Sequence, residues 1–242
     1  MLFTRDDVII VKRTIITFGG LRSTAEIMRV RKIHNADERL DARRHLLIET
    51  DYREPEKLDI NSVFPGYKEY RLEIGCGKGA FVCGEASKYP DVAYIAVEKI
   101  TDVIIFAMEK ADELEMQNVR FMIADAKNLT KIFEEKTFSE IYINFCDPWP
   151  KKRHAKRRLT NRDFLMEFKK LLKDDGHIAF KTDNADLFEY SIPEFEASGY
   201  RLENVTRDYH NSEWFGCDTE TEYERNFSEK GVPINRLVAY KQ

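Results

Sequence analysis

From residue 70 onward, short runs rich in Val, Ile, Tyr and Phe alternate with stretches of helical periodicity, the pattern of βαβ units around a parallel sheet. Residues 71–74 predict a first strand, and residues 75–79 a turn into a helix that ends before Pro90. Residues 93–97, 119–124 and 140–145 predict the second, third and fourth strands. Between the second and third, residues 102–115 predict a helix with Val103, Phe106, Ala107, Lys110 and Leu114 near one face. A helix over 161–172 is expected to stop at Asp174-Asp175-Gly176, where glycine suits a left-handed cap. Residues 177–182 follow as a fifth strand, 186–197 as a helix, and 200–206 and 234–240 as the last two strands. Pro193 predicts a kink, or a junction of two shorter helices. The sum is an α/β chain with a seven-stranded, mostly parallel sheet and helices on both faces, whose ligands belong at the carboxyl ends of the strands. Residues 208–232 show no strong periodicity, and a connection that long argues for function.

The 242 residues suit one globular domain, or one with a small appendage. Residues 1–27 form an extra N-terminal segment that supplies nothing to the chemistry below; with Met28 opening Met-Arg-Val-Arg-Lys, either translation begins there and the segment is a gene-model artefact, or the segment is a real hairpin or arm. Residues 28–69 then form a basic arm, and residues 70–242 the α/β domain. The cysteines, Cys76, Cys83, Cys146 and Cys217, make no CxxC pair and have no nearby histidine cluster, which points to a reducing, cytoplasmic compartment and to no metal site. No stretch approaches the roughly 18 apolar residues of a spanning helix, so no membrane partner is expected.

The 39 Lys and Arg against 43 Asp and Glu leave a net charge of −4, which hides a local asymmetry. Residues 151–158, Lys-Lys-Arg-His-Ala-Lys-Arg-Arg, hold six of the 39 basic residues and no acid. A second stretch holds Arg29, Arg31, Lys32, Arg39, Arg43 and Arg44, diluted by Asp37, Glu38 and Asp41. Such patches attract polyanions, although a solvated helix face would read the same way.

The sharpest local signal is Glu73-Ile74-Gly75-Cys76-Gly77-Lys78-Gly79-Ala80, leaving a strand and entering a helix. Glycines let the backbone turn tightly and approach a ligand closely. As written it satisfies Gly-x-Gly-x-x-Gly/Ala, so a nicotinamide-dinucleotide reading stays open. Two features favour S-adenosylmethionine (AdoMet). Glu73 would repel a pyrophosphate and welcome an amino-bearing ligand, and Gly79 follows Gly77 by two residues instead of three. Glu98, 19 residues after Gly79, closes the second strand where a carboxylate accepts from ribose hydroxyls, and Asp125 closes the third where it could accept from an adenine amino group. Acids also cap helices, so each position has a plain structural alternative.

The fourth strand runs into Asn144-Phe145-Cys146-Asp147-Pro148-Trp149-Pro150, directly before the basic octamer. Two prolines fix an extended exit, Trp149 offers a flat face and Asp147 a carboxylate, a combination suited to a base-reading pocket joined to a phosphate-binding strip. The run from Asp147 to Leu159, the Phe180-Lys181-Thr182-Asp183-Asn184 strand end and Thr221-Glu222-Tyr223-Glu224 together resemble the tRNA (guanine-N7)-methyltransferase family, from about Met28 to the C-terminus. The resemblance implies a class I methyltransferase version of the Rossmann fold, with an antiparallel last strand inserted at one edge. It implies methyl transfer from AdoMet to N7 of guanine 46 in the variable loop of tRNA, by a monomer or homodimer. It places cofactor contacts on Glu73, Gly75, Gly77, Gly79, Glu98 and Asp125, and the catalytic site on Asp147. It assigns Lys151, Asp183, Thr221, Glu222, Tyr223 and Glu224 to substrate, and Arg153, His154, Ala155, Lys156, Arg157 and Arg158 to RNA. Rival readings are a methyltransferase acting on another base or a protein amine, an RNA-binding scaffold that has lost methyl transfer, and a nicotinamide-linked reductase.

Overall fold

Strands whose side chains are apolar on both faces must be covered on both, and helices from successive crossovers supply the cover. Along β1 (Tyr70–Ile74), Leu72 and Ile74 enter one core, and along β2 (Ala93–Glu98), Ile95 and Val97 join them while Tyr94 and Ala96 enter a second core on the opposite face. The same alternation recurs in β4 (Phe138–Asn144), with Ile141 and Ile143 on the first face and Tyr142 on the second. The structure, a computed structural model, describes residues 35–51 and 54–242. Residues 1–27, and Arg29, Arg31 and Lys32 of the basic arm, lie outside the described residues.

The remaining strands are β3 (Val119–Ile123), β5 (Leu172–Thr182), β6 (Tyr200–Thr206) and β7 (Asn235–Lys241). The sheet order is β3-β2-β1-β4-β5-β7-β6, parallel throughout except for β7, which runs antiparallel to both of its neighbours. The seven strands match the periodicity, and the order reverses between β1 and β4, where a crevice opens at the carboxyl ends. Beyond β3, Leu47 forms an isolated bridge with Phe121 and covers part of the open edge.

The helices are α1 (Ala36–Asp41), α2 (Ile60–Val63), α3 (Ala80–Lys88), α4 (Thr101–Glu113), α5 (Leu129–Ile132), α6 (Arg162–Leu171), α7 (Ala185–Ala197) and α8 (Glu222–Ser228). Helices α3 and α4 cover the second core through Phe81, Val82, Ile104 and Met108, whereas α6 and α7 cover the first through Leu165, Phe168, Leu187 and Phe188. No described helix is long and apolar enough to cross a membrane.

Three expectations are corrected. Gly176 does not cap a helix: it lacks a left-handed φ and lies within β5, in the bulge between the pairs Phe138–Leu172 and Glu140–His177. An added Cβ there would stand 3.0 Å from the Ser139 carbonyl oxygen, so close approach is what requires glycine. In α4 the buried side chains are Ile104, Ile105, Ala107, Met108 and Ala111, while Phe106 and Leu114 stay exposed; Arg39 stacks over the Phe106 ring at 5.0 Å. Residues 208–232 are built around a short 3-10 turn (Tyr209–Asn211) and α8, a helix that the missing periodicity concealed. Pro193 lies inside a single helix, α7.

Gly79 caps α3 at φ 77°, and a Cβ there would meet Ala107 Cβ at 2.7 Å and Ala107 Cα at 2.9 Å. Gly79→Ala is expected to cost about 2–4 kcal/mol of unfolding free energy, from overpacking plus backbone strain. Gly66→Ala, at positive φ with nothing within 4 Å, carries only the strain, about 1 kcal/mol. Urea denaturation of both variants checks this, and equal costs would exclude the steric argument.

Candidate active site

The crevice is lined first by the loop after β1. Gly75, Gly77 and Gly79 all sit at positive φ, and beyond Gly75 and Gly77 the space is open. The Gly75 and Cys76 N–H groups donate to the Val97 carbonyl at 2.8 and 3.1 Å, which bends the loop around the end of β2. Below it Glu73, 2% exposed, accepts from Asn144 Nδ2 at 3.2 Å across the β1–β4 switch point. Glu73 Oε2 and Asn144 Oδ1 are buried without any hydrogen-bond partner. Burial pushes the Glu73 carboxyl up to about 8, against the Asn144 hydrogen bond and the Lys181 charge, while Glu98 adds like-charge repulsion.

Once Glu73 is ionised, as an incoming cation would favour, its free oxygen and Asn144 Oδ1 are two unpaired acceptors, which suit a ligand that donates hydrogen bonds. A cationic amino group fits that requirement; a pyrophosphate, which only accepts, does not. These acceptors therefore fit the amino acid end of AdoMet and disfavour a dinucleotide.

Glu98 ends β2 and receives three backbone donors, Gly77 N–H at 3.2 Å, Lys99 N–H at 2.7 Å and Ile100 N–H at 3.1 Å. It thereby pins the glycine loop to the turn that leads into α4. Asp125, after β3, accepts from Lys127 N–H at 3.2 Å and from Lys99 Nζ at 2.9 Å. Partial burial opposes its ionisation, but these lysine donors prevail and hold the carboxyl below the usual range. The three carboxylates stand on adjacent strands, in the order β1, β2, β3 outward from the switch point.

On the other side of the switch point β4 turns out through Phe145 and Trp149, both non-glycine residues at positive φ (52° and 41°). Asp147, between them, is exposed. Cys146 faces inward, and burial pushes its thiol up to about 12, with Asp147 and Asp183 adding to the rise. Burial also raises the carboxyl of Asp183, which follows β5. Because β4 and β5 are parallel neighbours, Asp147 and Asp183 leave the same end of the sheet. The octamer forms a 3-10 turn (Lys152–Arg157), and Lys151, Lys152, Arg153 and Lys156 are exposed with no carboxylate within ion-pair distance among the described residues. Arg157 stacks over Trp149 at 4.9 Å, and His154 meets the same ring edge-on at 5.7 Å. Ala155 lies in the middle of the turn. Arg39 and Arg43, by contrast, are engaged with Glu109 and Asp112 of α4, and Arg44 with Asp41 and Glu49, so these three tie down the arm.

Helix α8 closes the group. Thr221 and Glu224 form a capping box, Thr221 Oγ1 accepting from Glu224 N–H at 2.9 Å. Their side chains face inward: Glu224 pairs with Lys181 Nζ at 2.8 Å, both side chains 1% exposed. Glu222 and Tyr223 face outward. Glu222 reaches Lys78 of the glycine loop at 3.8 Å, and Tyr223, 51% exposed, stacks on Phe145 at 6.1 Å. Burial raises the Tyr223 phenol, and so do Asp147, Glu222, Glu98 and Asp183 around it. Residues from both sides of the crevice therefore converge on Tyr223. Among the described residues no set of three His, Cys, Asp or Glu side chains could hold a metal ion.

Sequence reading missed Asn144, Phe145, Lys181 and Glu85. Glu85, buried in α3, accepts from Thr219 N–H and Oγ1, both at 2.7 Å, and anchors the late segment. Only the capping box had a local signal, the Thr-x-x-Glu spacing of 221–224.

A doubly wound sheet with reversed β7, a glycine loop over a donor-seeking carboxylate and acids at successive strand ends define a class I methyltransferase. A family model described as "Putative methyltransferase" matches residues 68–237. The chain is 43% identical over 203 residues to a tRNA (guanine-N(7)-)-methyltransferase of Lachnoclostridium phytofermentans, covering 82% of this chain and 95% of that one. It is 48% identical over 177 residues to the same-named protein of Listeria monocytogenes serotype 4b, covering 73% and 82%. The chain belongs to the tRNA (guanine-N(7)-)-methyltransferase family. Among solved structures, the 16S rRNA methyltransferase KamB superposes with TM-score 0.59 at 11% identity, covering 77% of this chain and 95% of that one, a likeness of fold.

The Glu73 carboxyl at about 8, against 4.5 ordinarily, makes stability depend on pH. Between those values the folded chain holds a proton that the unfolded chain has lost, so stability falls as pH rises through this window and levels off above it, by up to about 1.4 kcal/mol per pH unit. Glu73→Gln should flatten that slope in urea denaturation at pH 5.5, 7 and 8.5; an unchanged slope would exclude Glu73 as its source.

Proposed function

We propose that this chain transfers the methyl group of AdoMet to N7 of a guanine in tRNA, guanine 46 of the variable loop. What carries the reading is the convergence of the orphaned Glu73 and Asn144 acceptors, the Asp147 and Asp183 carboxylates and an unpaired cationic strip at one end of the sheet, in a chain of this family. Glu73, Asn144 and the 75–79 loop hold the amino acid end of the cofactor, Glu98 the ribose and Asp125 the adenine side. The cofactor supplies an electrophilic methyl group on a sulfonium.

Guanine N7 carries a lone pair and no proton, so the attack needs no general base. The enzyme's task is to hold nucleophile and methyl carbon in line at roughly 3–3.5 Å. Asp147 and Asp183 are acceptors positioned to clamp the N1–H and 2-amino donors of the base, and Tyr223, resting on Phe145, offers a flat surface for stacking. Thr221 and Glu224 act indirectly, by fixing α8 so that Glu222 and Tyr223 face the crevice. In folded tRNA the base must be loosened, at a cost of a few kcal/mol. Phosphate contacts from Lys151, Lys152, Arg153 and Lys156 offset that cost, so tRNA binding weakens steeply with salt. The enzyme works in the cytoplasm, as a monomer or homodimer.

Labelled methyl from AdoMet should appear in unmodified tRNA as 7-methylguanosine and disappear when guanine 46 is replaced. AdoMet binding without tRNA methylation would overturn the substrate assignment. Asp147→Asn should lower kcat/KM by about 10- to 100-fold, because the amide presents one acceptor where the carboxylate presents two. The pH profile should keep its shape, and a wild-type rate that follows a single carboxylate titration would instead make Asp147 a base.

A further inference from the structure

The cations of the basic octamer are not equivalent. Arg158 turns back toward the chain that precedes it: its Nε donates to the Pro148 carbonyl at 3.0 Å and its Nη2 to the Trp149 carbonyl at 3.1 Å. One face of the guanidinium lies over the Tyr190 ring of α7, 4.1 Å from the centroid. Tyr190 is itself fixed, since its hydroxyl accepts from Asn161 Nδ2 at 2.8 Å. Asn161 caps α6, and its own N–H donates to the Arg158 carbonyl at 3.0 Å, which closes the circuit.

We infer that Arg158 is a positioning residue, a strut that fixes the Asp147-Pro148-Trp149 turn against α7, and not one of the phosphate contacts. Both things it joins carry a carboxylate of the substrate crevice. Asp147 immediately precedes Pro148, and Asp183 immediately precedes Asn184, the cap of α7. The turn needs such a brace. Trp149 is a bulky residue at φ 41°, a strained conformation that persists only where the surroundings enforce it. A planar fork that donates to two successive carbonyls while stacking on an aromatic ring is a task for arginine; a lysine ammonium has neither the fork nor the flat face. With two donors and one face so committed, Arg158 is poorly placed to neutralise a phosphate, in contrast to the exposed Lys152, Arg153 and Lys156.

The inference rests on the tRNA methylation proposed above, and steady-state kinetics combined with the salt dependence of tRNA binding by the full chain separates the two. Arg153→Ala and Lys156→Ala should raise the KM for tRNA and each reduce the slope of log binding constant against log salt by about 1. Arg158→Ala should lower kcat by about 10- to 100-fold, as a misplaced turn does, and leave that salt slope at the wild-type value. Arg158→Lys should restore less than half of the lost kcat. Tyr190→Leu removes the stacking partner without touching any cation, and should likewise lower kcat with the salt slope unchanged and AdoMet binding stoichiometry intact. This second variant decides the matter if Arg158→Ala does not fold. An Arg158→Ala chain with wild-type kcat and a salt slope reduced by about 1 would overturn the strut, and so would a Tyr190→Leu chain with wild-type kcat. If the wild-type chain methylates no tRNA at all, the proposed function fails, whereas an unchanged salt slope in Arg158→Ala would still support the strut.

Discussion

The architecture of the crevice depends on one buried ammonium. Lys181 stands near the end of β5, 1% exposed, and donates to Glu224 Oε2 at 2.8 Å and to the Thr219 carbonyl at 3.2 Å, with the Phe81 and Tyr209 rings 5.2 and 5.5 Å away. An isolated charge at such depth is costly, and removing one partner of a buried pair typically costs about 3–5 kcal/mol. The late segment is therefore obliged to bring Glu224 down onto the sheet. In doing so it delivers α8, and with it Tyr223 and Phe227, onto Phe145, with ring centroids at 6.1 and 6.3 Å. The same ammonium favours ionisation of Glu73, the carboxylate under the glycine loop. Cofactor side and substrate side are thus linked through a single lysine.

Further ties reinforce the docking of this segment. Glu85 in α3 clasps Thr219, and a Cβ on Gly84 would stand 2.4 Å from the Thr219 methyl group, so the two segments touch backbone to side chain. Arg236 at the start of β7 pairs with Asp218 at 2.7 Å and lies over the Tyr209 ring at 5.3 Å. These are polar links made deep in the fold, where each is strengthened by the low local dielectric and where a missing partner is heavily penalised. Interactions of that kind specify one arrangement of the segment in a way that apolar packing alone would not.

Electrostatics divide the surface in the same spirit. The arginines of the 39–44 stretch have carboxylate partners, so that part of the basic arm serves the fold. The octamer has none among the described residues, and its cations separate by geometry: Arg157 and Arg158 turn onto aromatic rings while the others face outward. Charge counted along a sequence does not distinguish these cases, because a cation's role is set by what the fold places beside it.

The seven strands were legible because each is a short apolar run bounded by turn residues, and the glycine loop because backbone at positive φ selects glycine locally. Glu98 and Asp125 were legible as strand-end acids, a matter of position along the chain. Gly176 misled, since sequence shows that a glycine is needed but not whether φ or a neighbouring carbonyl requires it. Glu224 read as a substrate contact, Lys181 only as a member of the 180–184 motif, and Glu85 carried no signal; the docking of the late segment onto the sheet is what buries Lys181 against Glu224 and Glu85 against Thr219. The family motifs identified the chemistry through residue identity alone. Which of those residues face the crevice, which brace it and which neutralise one another was decided by tertiary packing, because burial and partner distance are properties of the folded chain and not of any local stretch.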